Sequence, residues 1–128
     1  MPHLLDTNVA IHVRDADPEV VRRVQALDDA VLISIVTRVE LEGGVYRDPR
    51  HAMARREQLD IMLAAIPTLA FDDDAASVYG TIVAAAGYSR RKLLDRMIAA
   101  QAVLHRATLV TFDVDDFKDV PGLKLIAW

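Results

Sequence analysis

The chain has no cysteine, and this excludes disulfide bonds and metal sites built on thiolates. The absence is consistent with a reducing compartment, so we expect a cytoplasmic protein. No apolar run approaches the roughly 20 residues that span a bilayer, so we expect no membrane partner. The start of the chain also lacks the basic segment and the longer apolar segment of a signal peptide.

Repeats, low-complexity tracts and flexible linkers are absent as well, so the sequence shows no domain boundary. The 128 residues, 52% of them apolar, are enough for one globular core. We therefore expect residues 1–128 to form a single domain. Disorder is excluded by the same composition.

Excess basic charge is also missing, because the net charge is −4. This argues against a non-specific nucleic-acid binder, which usually presents a basic surface. The basic residues are nevertheless clustered, and each cluster is either a solvated face or a binding surface. The two clusters are Arg47, Arg50, Arg55 and Arg56, and then Arg90, Arg91, Lys92 and Arg96.

Short apolar runs alternate with longer segments of helical periodicity along the whole chain. Strands are predicted at Leu4-Leu5, Val31–Ile33, Thr68–Phe71, Thr108–Thr111 and Leu123–Ile126. Helices are predicted near Asn8–Val13, at Pro18–Leu27, from Ser34 to the pair Gly43-Gly44, at Arg50–Ile66, from Asp72 to Gly87, and at Arg91–His105. This alternation predicts an α/β fold with a parallel sheet of four to five strands and helices on both faces. Sites in such folds lie beyond the carboxyl ends of the strands.

Four acidic residues stand where the sequence is otherwise apolar. Asp6 and Asp113 follow predicted strands, while Glu40 and Asp95 fall on the apolar faces of predicted helices. A carboxylate at an apolar position is costly unless a cation or hydrogen bonds compensate it. Oxygen ligands suit Mg²⁺ or Mn²⁺, which can activate water and stabilise charge on a phosphodiester. The four residues together predict a divalent-metal site that cuts RNA.

Each acid taken alone also has a simpler explanation. These explanations are Asp6 as the cap of the next helix, Glu40 as a partly exposed helix residue, Asp95 as an ion-pair partner of Arg91 or Arg96, and Asp113 as the cap of a short helix. Four separate caps and ion pairs need not share one edge of a sheet, so the joint placement favours the metal site.

Several blocks of the sequence carry a resemblance over nearly its whole length. They are Leu4–Asn8, Ser34–Leu41, Asp95–Ala102 and Thr108–Asp113, followed by Asp116-Phe117 and Pro121–Leu123. In this order and spacing the chain resembles the PIN-domain ribonucleases. More narrowly, it is similar to the VapC-type toxins of toxin–antitoxin pairs.

The resemblance implies a three-layer α/β/α sandwich and an endoribonuclease that depends on Mg²⁺ or Mn²⁺. It implies catalytic and metal-binding roles for Asp6, Glu40, Asp95 and Asp113. It implies supporting roles for Thr7, Asn8, Thr111 and Asp116. Asp115 or Asp116 remains an alternative for the fourth acid. A homodimer, a cognate VapB-type antitoxin, and a tRNA, rRNA or mRNA substrate are implied as partners.

The segment before Asp95 departs from this resemblance because it is unusually basic. Arg90, Arg91, Lys92 and Arg96 either contact RNA phosphates or form a solvated helix start. Two rival functions also remain. One is a PIN-like module that binds RNA or protein without cutting. The other is an aspartate-dependent phosphatase, although Asn8 stands where its second aspartate is expected, and Lys124 is poorly placed to serve as its lysine.

Overall fold

A central sheet of five parallel strands organises the fold in the computed structural model, which describes residues 1–128. The strands are β1 (His3–Leu5), β2 (Val31–Ser34), β3 (Thr68–Leu69), β4 (Thr108–Thr111) and β5 (Lys124–Ala127). Their order across the sheet is β3-β2-β1-β4-β5, and every neighbouring pair is parallel. The predicted α/β fold with a parallel sheet is therefore confirmed.

Six α-helices connect the strands. They are α1 (Thr7–Arg14), α2 (Pro18–Gln25), α3 (Ile35–Tyr46), α4 (Ala52–Ala65), α5 (Asp73–Ala86) and α6 (Leu93–Leu104). Asp17, Ser34 and Asp72 cap α2, α3 and α5 by accepting backbone N–H groups of the first turn. Short 3₁₀ turns precede α4 and follow β4. None of the helices combines the length and the apolar character that crossing a membrane requires.

Alternate residues of the central strands point into two separate cores. Leu4 and Leu109 belong to the core beneath α5 and α6, whereas Leu5 and Val110 belong to the core beneath α1, α2 and α4. Helix α3 contributes to both, with Val36 in the first core and Leu41 and Val45 in the second. This alternation is the period of a strand buried on both faces. The result is the expected three-layer α/β/α sandwich.

Helix α3 differs from its prediction because it does not end at the glycine pair. Gly43 and Gly44 lie inside the helix, which continues to Tyr46. Leu41 and Val45 are buried one turn apart, and their burial outweighs the roughly 1 kcal/mol that each glycine costs in a helix. A Cβ atom on Gly44 would lie 3.2 Å from Arg14 Nη1. A glycine at this position therefore makes room for the arginine.

Two other boundaries also differ from the sequence expectation. Strand β3 has only two residues and pairs with β2 alone, at the edge of the sheet. Helix α6 begins at Leu93 instead of Arg91. The residues before it form a turn in which Leu93 N donates to Arg90 O at 3.2 Å.

The strand order reverses direction between β1 and β4. From β1 the chain builds outward to β2 and β3, and it then returns to add β4 and β5 on the other side of β1. Ligands of open parallel sheets bind at such a reversal, beyond the carboxyl ends of the strands. Asp6 directly follows β1, and Asp113 comes two residues after β4.

Candidate functional site

An open cleft of about 770 Å³ lies at this reversal, and most of its lining is polar. Its acidic side is formed by Asp6, Glu40, Asp95, Asp113 and Asp116. Its basic side is formed by Arg14, Arg47 and Arg55. The structure thus brings together all four acids that the sequence singled out, along with Asp116 and the supporting residues Thr7 and Asn8.

Asp6 is the most buried acid of the cleft, with 5% of its surface exposed. Thr111 Oγ1 donates to Asp6 Oδ2 at 2.8 Å, and the backbone N–H of Thr7 donates to Oδ1 at 2.8 Å. Burial raises the pKa of Asp6, and repulsion from Asp113 and Glu40 raises it further, while the two hydrogen bonds act to lower it. Asp6 also caps α1, so the simpler cap explanation is correct and is compatible with its place in the cleft.

Thr7 connects the first helix to Glu40. Its hydroxyl donates to Glu40 Oε1 at 2.9 Å and lies 2.9 Å from the hydroxyl of buried Thr37. Glu40 itself is exposed, and its neighbour Val39 is 65% exposed, so the expected apolar face of α3 does not exist at this point. Glu40 is therefore held at the rim of the cleft by a hydrogen bond and is not buried among apolar side chains.

Asn8 and Thr111 fix Asp113. Asn8 Nδ2 donates to Asp113 Oδ2 at 2.9 Å, and Thr111 Oγ1 accepts from Asp113 N at 2.9 Å. Asp113 precedes a 3₁₀ turn, but its side chain makes no capping bond, so the cap explanation does not hold for this residue. Of the two alternatives for the fourth acid, Asp116 lines the cleft, whereas Asp115 does not line it and lies 3.8 Å from Lys118 Nζ.

Asp95 lies in the first turn of α6 and is partly buried. Its burial, followed by repulsion from Asp6 and the other carboxylates of the cleft, raises its pKa to about 6. Asp95 forms no ion pair, so the pairing with Arg91 or Arg96 that the sequence left open does not occur. Arg96 instead donates to Asp119 Oδ2 at 3.0 Å and to the carbonyl of Gly87.

The acidic side of the cleft fits a hydrated divalent cation. None of its five carboxylates is paired with a basic side chain, and burial, followed by repulsion among these carboxylates, raises the pKa of Asp95. No three of the acids converge tightly enough to form a finished ligand set. Mg²⁺ keeps several of its waters and uses only one or two carboxylates, so it does not need such a set.

The expected RNA-binding residues do not all reach the surface. Arg96 is only 3% exposed and its guanidinium is engaged, so the prediction that Arg96 contacts RNA is wrong. Lys92 lies 3.3 Å from Asp119, which satisfies part of its charge. Arg90 and Arg91 remain available, because both are exposed and neither has an ion-pair partner.

Sequence reasoning missed the basic side of the cleft. Arg47 and Arg55 were noticed only as members of a charged cluster, and Arg14 was not singled out at all. Arg14 ends α1, which begins beside Asp6, and Arg47 follows α3, which carries Glu40. Helical spacing could therefore have identified these arginines, because residues one or two turns after an acid on a helix lie along the same groove.

The family of the chain follows from its comparison with known domains. The family model described as PIN domain matches residues 3–123, which is nearly the whole chain. The chain belongs to the PIN domain family. A curated relative is Ribonuclease VapC2 of Rickettsia felis, which is 27% identical over 135 positions that cover 100% of this chain and 98% of the relative.

Solved structures of VapBC and FitAcB proteins share this fold. The VapBC2 structure of Rickettsia felis, bound to a promoter DNA fragment, matches with a TM-score of 0.87 at 26% identity, covering 100% of this chain and 99% of that one. The DNA-bound VapBC of Salmonella typhimurium gives 0.86 at 25%, covering 100% and 98%. FitAcB of Neisseria gonorrhoeae gives 0.82 at 28%, covering 97% and 96%.

Replacing Asp95 with asparagine is expected to stabilise the metal-free protein at pH 7. The folded-state pKa of about 6 lies above the usual value of an aspartate side chain, so ionisation of Asp95 opposes folding, and this cost grows as the pH rises from the usual pKa through 6. Removing the charge should raise the melting temperature by roughly 4 °C, or about 1 kcal/mol after solvent screening is allowed for. Thermal unfolding in EDTA at pH 7 measures this gain.

The same pair of proteins at pH 4 provides the internal control. Asp95 is then largely protonated in the folded state, so the advantage of Asp95→Asn should shrink. Asp115→Asn, which changes an exposed acid outside the cleft, should leave the melting temperature unchanged at both pH values. A stabilisation of equal size at pH 4 and pH 7 would contradict the raised pKa of Asp95.

Proposed function

We propose that this PIN-domain chain is a Mg²⁺- or Mn²⁺-dependent endoribonuclease and the toxin of a type II toxin–antitoxin module. The observation that carries the proposal is the group of five carboxylates without cationic partners at the reversal point of the sheet. The similarity to Ribonuclease VapC2 and to VapBC structures supports it. We propose catalytic and metal-binding roles for Asp6, Glu40, Asp95 and Asp113.

The polar neighbours of these acids orient them toward the cleft. Thr111 and the N–H of Thr7 hold the two oxygens of Asp6, and the Thr7 hydroxyl holds one oxygen of Glu40. Asn8 binds one oxygen of Asp113 and leaves the other without a protein donor. A bound divalent cation would supply a Lewis acid that favours the ionised carboxylates, activates water and neutralises charge on the phosphodiester.

Competing functions fit the structure less well. A phosphatase needs a lysine near its aspartates. Lys124 pairs in register with Thr108, the first residue of β4, so it lies at the amino ends of the strands, whereas the aspartates lie at the carboxyl ends. Asn8, in the place of the second aspartate, binds Asp113. A binding-only module remains the alternative, and it differs from the nuclease in a single result, which is the absence of cleavage.

Cleavage of total cellular RNA by the purified chain, free of any antitoxin, tests the proposal. Parallel reactions contain Mg²⁺, Mn²⁺ or EDTA. Discrete fragments are expected only with metal, and the positions of their 5′ ends would identify tRNA, rRNA or mRNA as the substrate. Intact RNA in the presence of either metal, from protein shown to be folded, would favour the binding-only module.

A VapB-type antitoxin is the proposed inhibitor, because the similar solved structures include VapBC assemblies. The predicted homodimer stays a prediction. Val39 and Leu94 are 65% and 45% exposed, and they border an apolar depression that Ile35 and Met97 also line. Light scattering of the isolated chain determines its oligomeric state, and a 14.2 kDa particle would exclude the dimer.

Replacing Arg90 and Arg91 together with alanine is expected to weaken RNA binding and its salt dependence. Each phosphate contact that is lost lowers the slope of log affinity against log salt by roughly 0.7 for a single strand, so two contacts give roughly 1.4. Binding of a labelled RNA between low and moderate salt measures this slope. The exposed pair Arg22 and Arg23, bound to Glu19, provides a matched double variant, and equal slopes in both double variants would refute the contact.

A further inference from the structure

The basic side of the cleft has features of a binding site for an anion. We propose that Arg14, Arg47 and Arg55 form a subsite for a backbone phosphate of the RNA that flanks the scissile phosphate. The proposal rests on the ribonuclease function given above and adds a location for the substrate beyond the acids. None of these three arginines forms an ion pair with an acid of the cleft.

Arg14 carries most of the argument because its side chain is only 6% exposed, yet it is not fully paired. Its Nε donates to Asp15 Oδ1 at 3.0 Å, and Asp15 is itself half exposed. Its two terminal nitrogens have no acceptor in the chain, and the residue lines the cleft. A buried charge of this kind is costly unless it is compensated, so the site is suited to an anion that enters from the cleft.

The backbone around Gly44 keeps two arginines in place. The glycine lets Arg14 Nη1 come within 3.2 Å of the position that a Cβ would occupy. Arg55 Nη1 donates to the carbonyl of the same glycine at 3.3 Å. Arg47 is exposed, has no ion-pair partner and lines the same cleft. Two held guanidinium groups and one free group thus surround a single turn of α3.

The position of this turn relative to the acids indicates which phosphate is bound. Gly44 follows Glu40 by one helical turn, which is about 6 Å along the axis of α3. The arginines are therefore too far along the groove to contact the scissile phosphate at the acids. They are near enough to contact a neighbouring phosphate of the same RNA strand. A planar guanidinium with two free nitrogens matches the geometry of a phosphate.

An RNA strand is favoured over an acidic protein segment because the two sides form one continuous cleft. A strand that crosses the acids continues past Gly44 and presents a phosphate at every nucleotide. An acidic peptide offers carboxylates but no phosphodiester for a cation on the acidic side of the same cleft to act on. Basic groups close to a cation site also steer a polyanion into the groove.

The first test compares Arg14→Gln and Arg47→Ala with the wild-type chain. We expect the Kd for a short single-stranded RNA in EDTA to rise about tenfold for each variant, the loss that corresponds to one charge-assisted hydrogen bond. In Mg²⁺ the KM should rise by a similar factor, while kcat changes little. Arg50→Ala is the matched control, because Arg50 is exposed, lies outside the cleft and pairs with Asp48.

The second test uses an RNA with a mapped cut site in which one flanking phosphate at a time becomes an uncharged methylphosphonate. One position should weaken binding to the wild type about tenfold and have no further effect on Arg14→Gln, because the contact is already lost. Gly44→Ala should reduce affinity at the same position by displacing Arg14. Additive losses at every position would overturn the proposal.

The outcomes separate this subsite from the nuclease function. RNA binding that falls in the arginine variants of a chain that cuts nothing would support the subsite and reject the nuclease. Normal cleavage with unchanged Kd and KM in both variants would reject the subsite and keep the nuclease. Unchanged RNA binding with weaker binding of an oligoglutamate peptide would assign the arginines to an acidic protein segment instead. If Arg14→Gln does not fold, exposed Arg47 carries the test alone.

Discussion

Replacing Asp6 with asparagine is expected to slow RNA cleavage by roughly 100-fold or more, the loss typical of removing one electrostatic element from a catalytic site. Asparagine keeps the size of the side chain, and its single oxygen can accept from either Thr111 Oγ1 or Thr7 N–H, the two donors that bind Asp6 at 2.8 Å. It lacks the negative charge that a cation needs. Initial rates on one mapped RNA in Mg²⁺ measure the loss.

The fold should survive this substitution, which makes the loss of activity specific. Burial raises the pKa of Asp6, so its charge does not stabilise the folded protein. Removal of this charge offsets the loss of one of the two hydrogen bonds to Asp6, so the melting temperature of Asp6→Asn in EDTA should lie within a few degrees of that of the wild type. Asp115→Asn removes an acid outside the cleft and should cleave normally. Wild-type cleavage by Asp6→Asn would reject the proposed role of Asp6.

Replacing Gln101 with leucine is expected to destabilise the protein by about 3 kcal/mol and to lower its melting temperature by roughly 10 °C. Gln101 is fully buried. Its amide nitrogen donates to the carbonyls of Leu69 and Ala70, both at 3.1 Å, and its amide oxygen accepts from the Ser34 hydroxyl. Leucine has a similar volume but removes all three hydrogen bonds, and the buried Ser34 hydroxyl loses its acceptor while still accepting from Val36 N. Thermal and urea unfolding of the metal-free protein measure the change.

This network also connects the two helices that carry acids of the cleft. Ser34 caps α3, which bears Glu40, and Gln101 lies on α6, which bears Asp95. The variant should therefore lose cleavage activity at temperatures well below its melting point. Gln25→Leu, at an exposed position at the end of α2, is the matched control and should melt like the wild type. Equal stability of both variants would show that the buried network contributes little.

Local patterns were enough to predict the acids that follow strands. Asp6 and Asp113 come directly after or close behind apolar runs, and parallel strands bring their carboxyl ends to one edge. Asp95 was singled out for a different reason, its place on the apolar face of a predicted helix, and the structure puts it in the same cleft. For Glu40 the position was right but the reason was wrong, because α3 exposes Val39 and Glu40 together. Its hydrogen bond to Thr7 depends on a contact between two helices that no local pattern contains.

The errors share a physical cause, which is tertiary packing that overrides a local preference. Gly43 and Gly44 look like a helix end, yet burial of Leu41 and Val45 carries α3 onward. Arg96 looks like a surface cation, yet Asp119 and the carbonyl of Gly87 draw its guanidinium inward. The buried position of Arg14 likewise depends on its approach to α3. Such contacts join residues far apart in sequence, so periodicity alone does not reveal them.

The chemical ends of the RNA products provide the most direct test of the claim that the acidic cleft acts through a metal-activated water. The substrate is an oligonucleotide with one mapped cut site, incubated with the wild-type chain in Mg²⁺. The account predicts a 5′-phosphate and a 3′-hydroxyl, and continued cleavage when the nucleotide before the cut lacks its 2′-hydroxyl. A 2′,3′-cyclic phosphate, or loss of cleavage on the deoxy substrate, would contradict it, because the RNA itself would then supply the nucleophile.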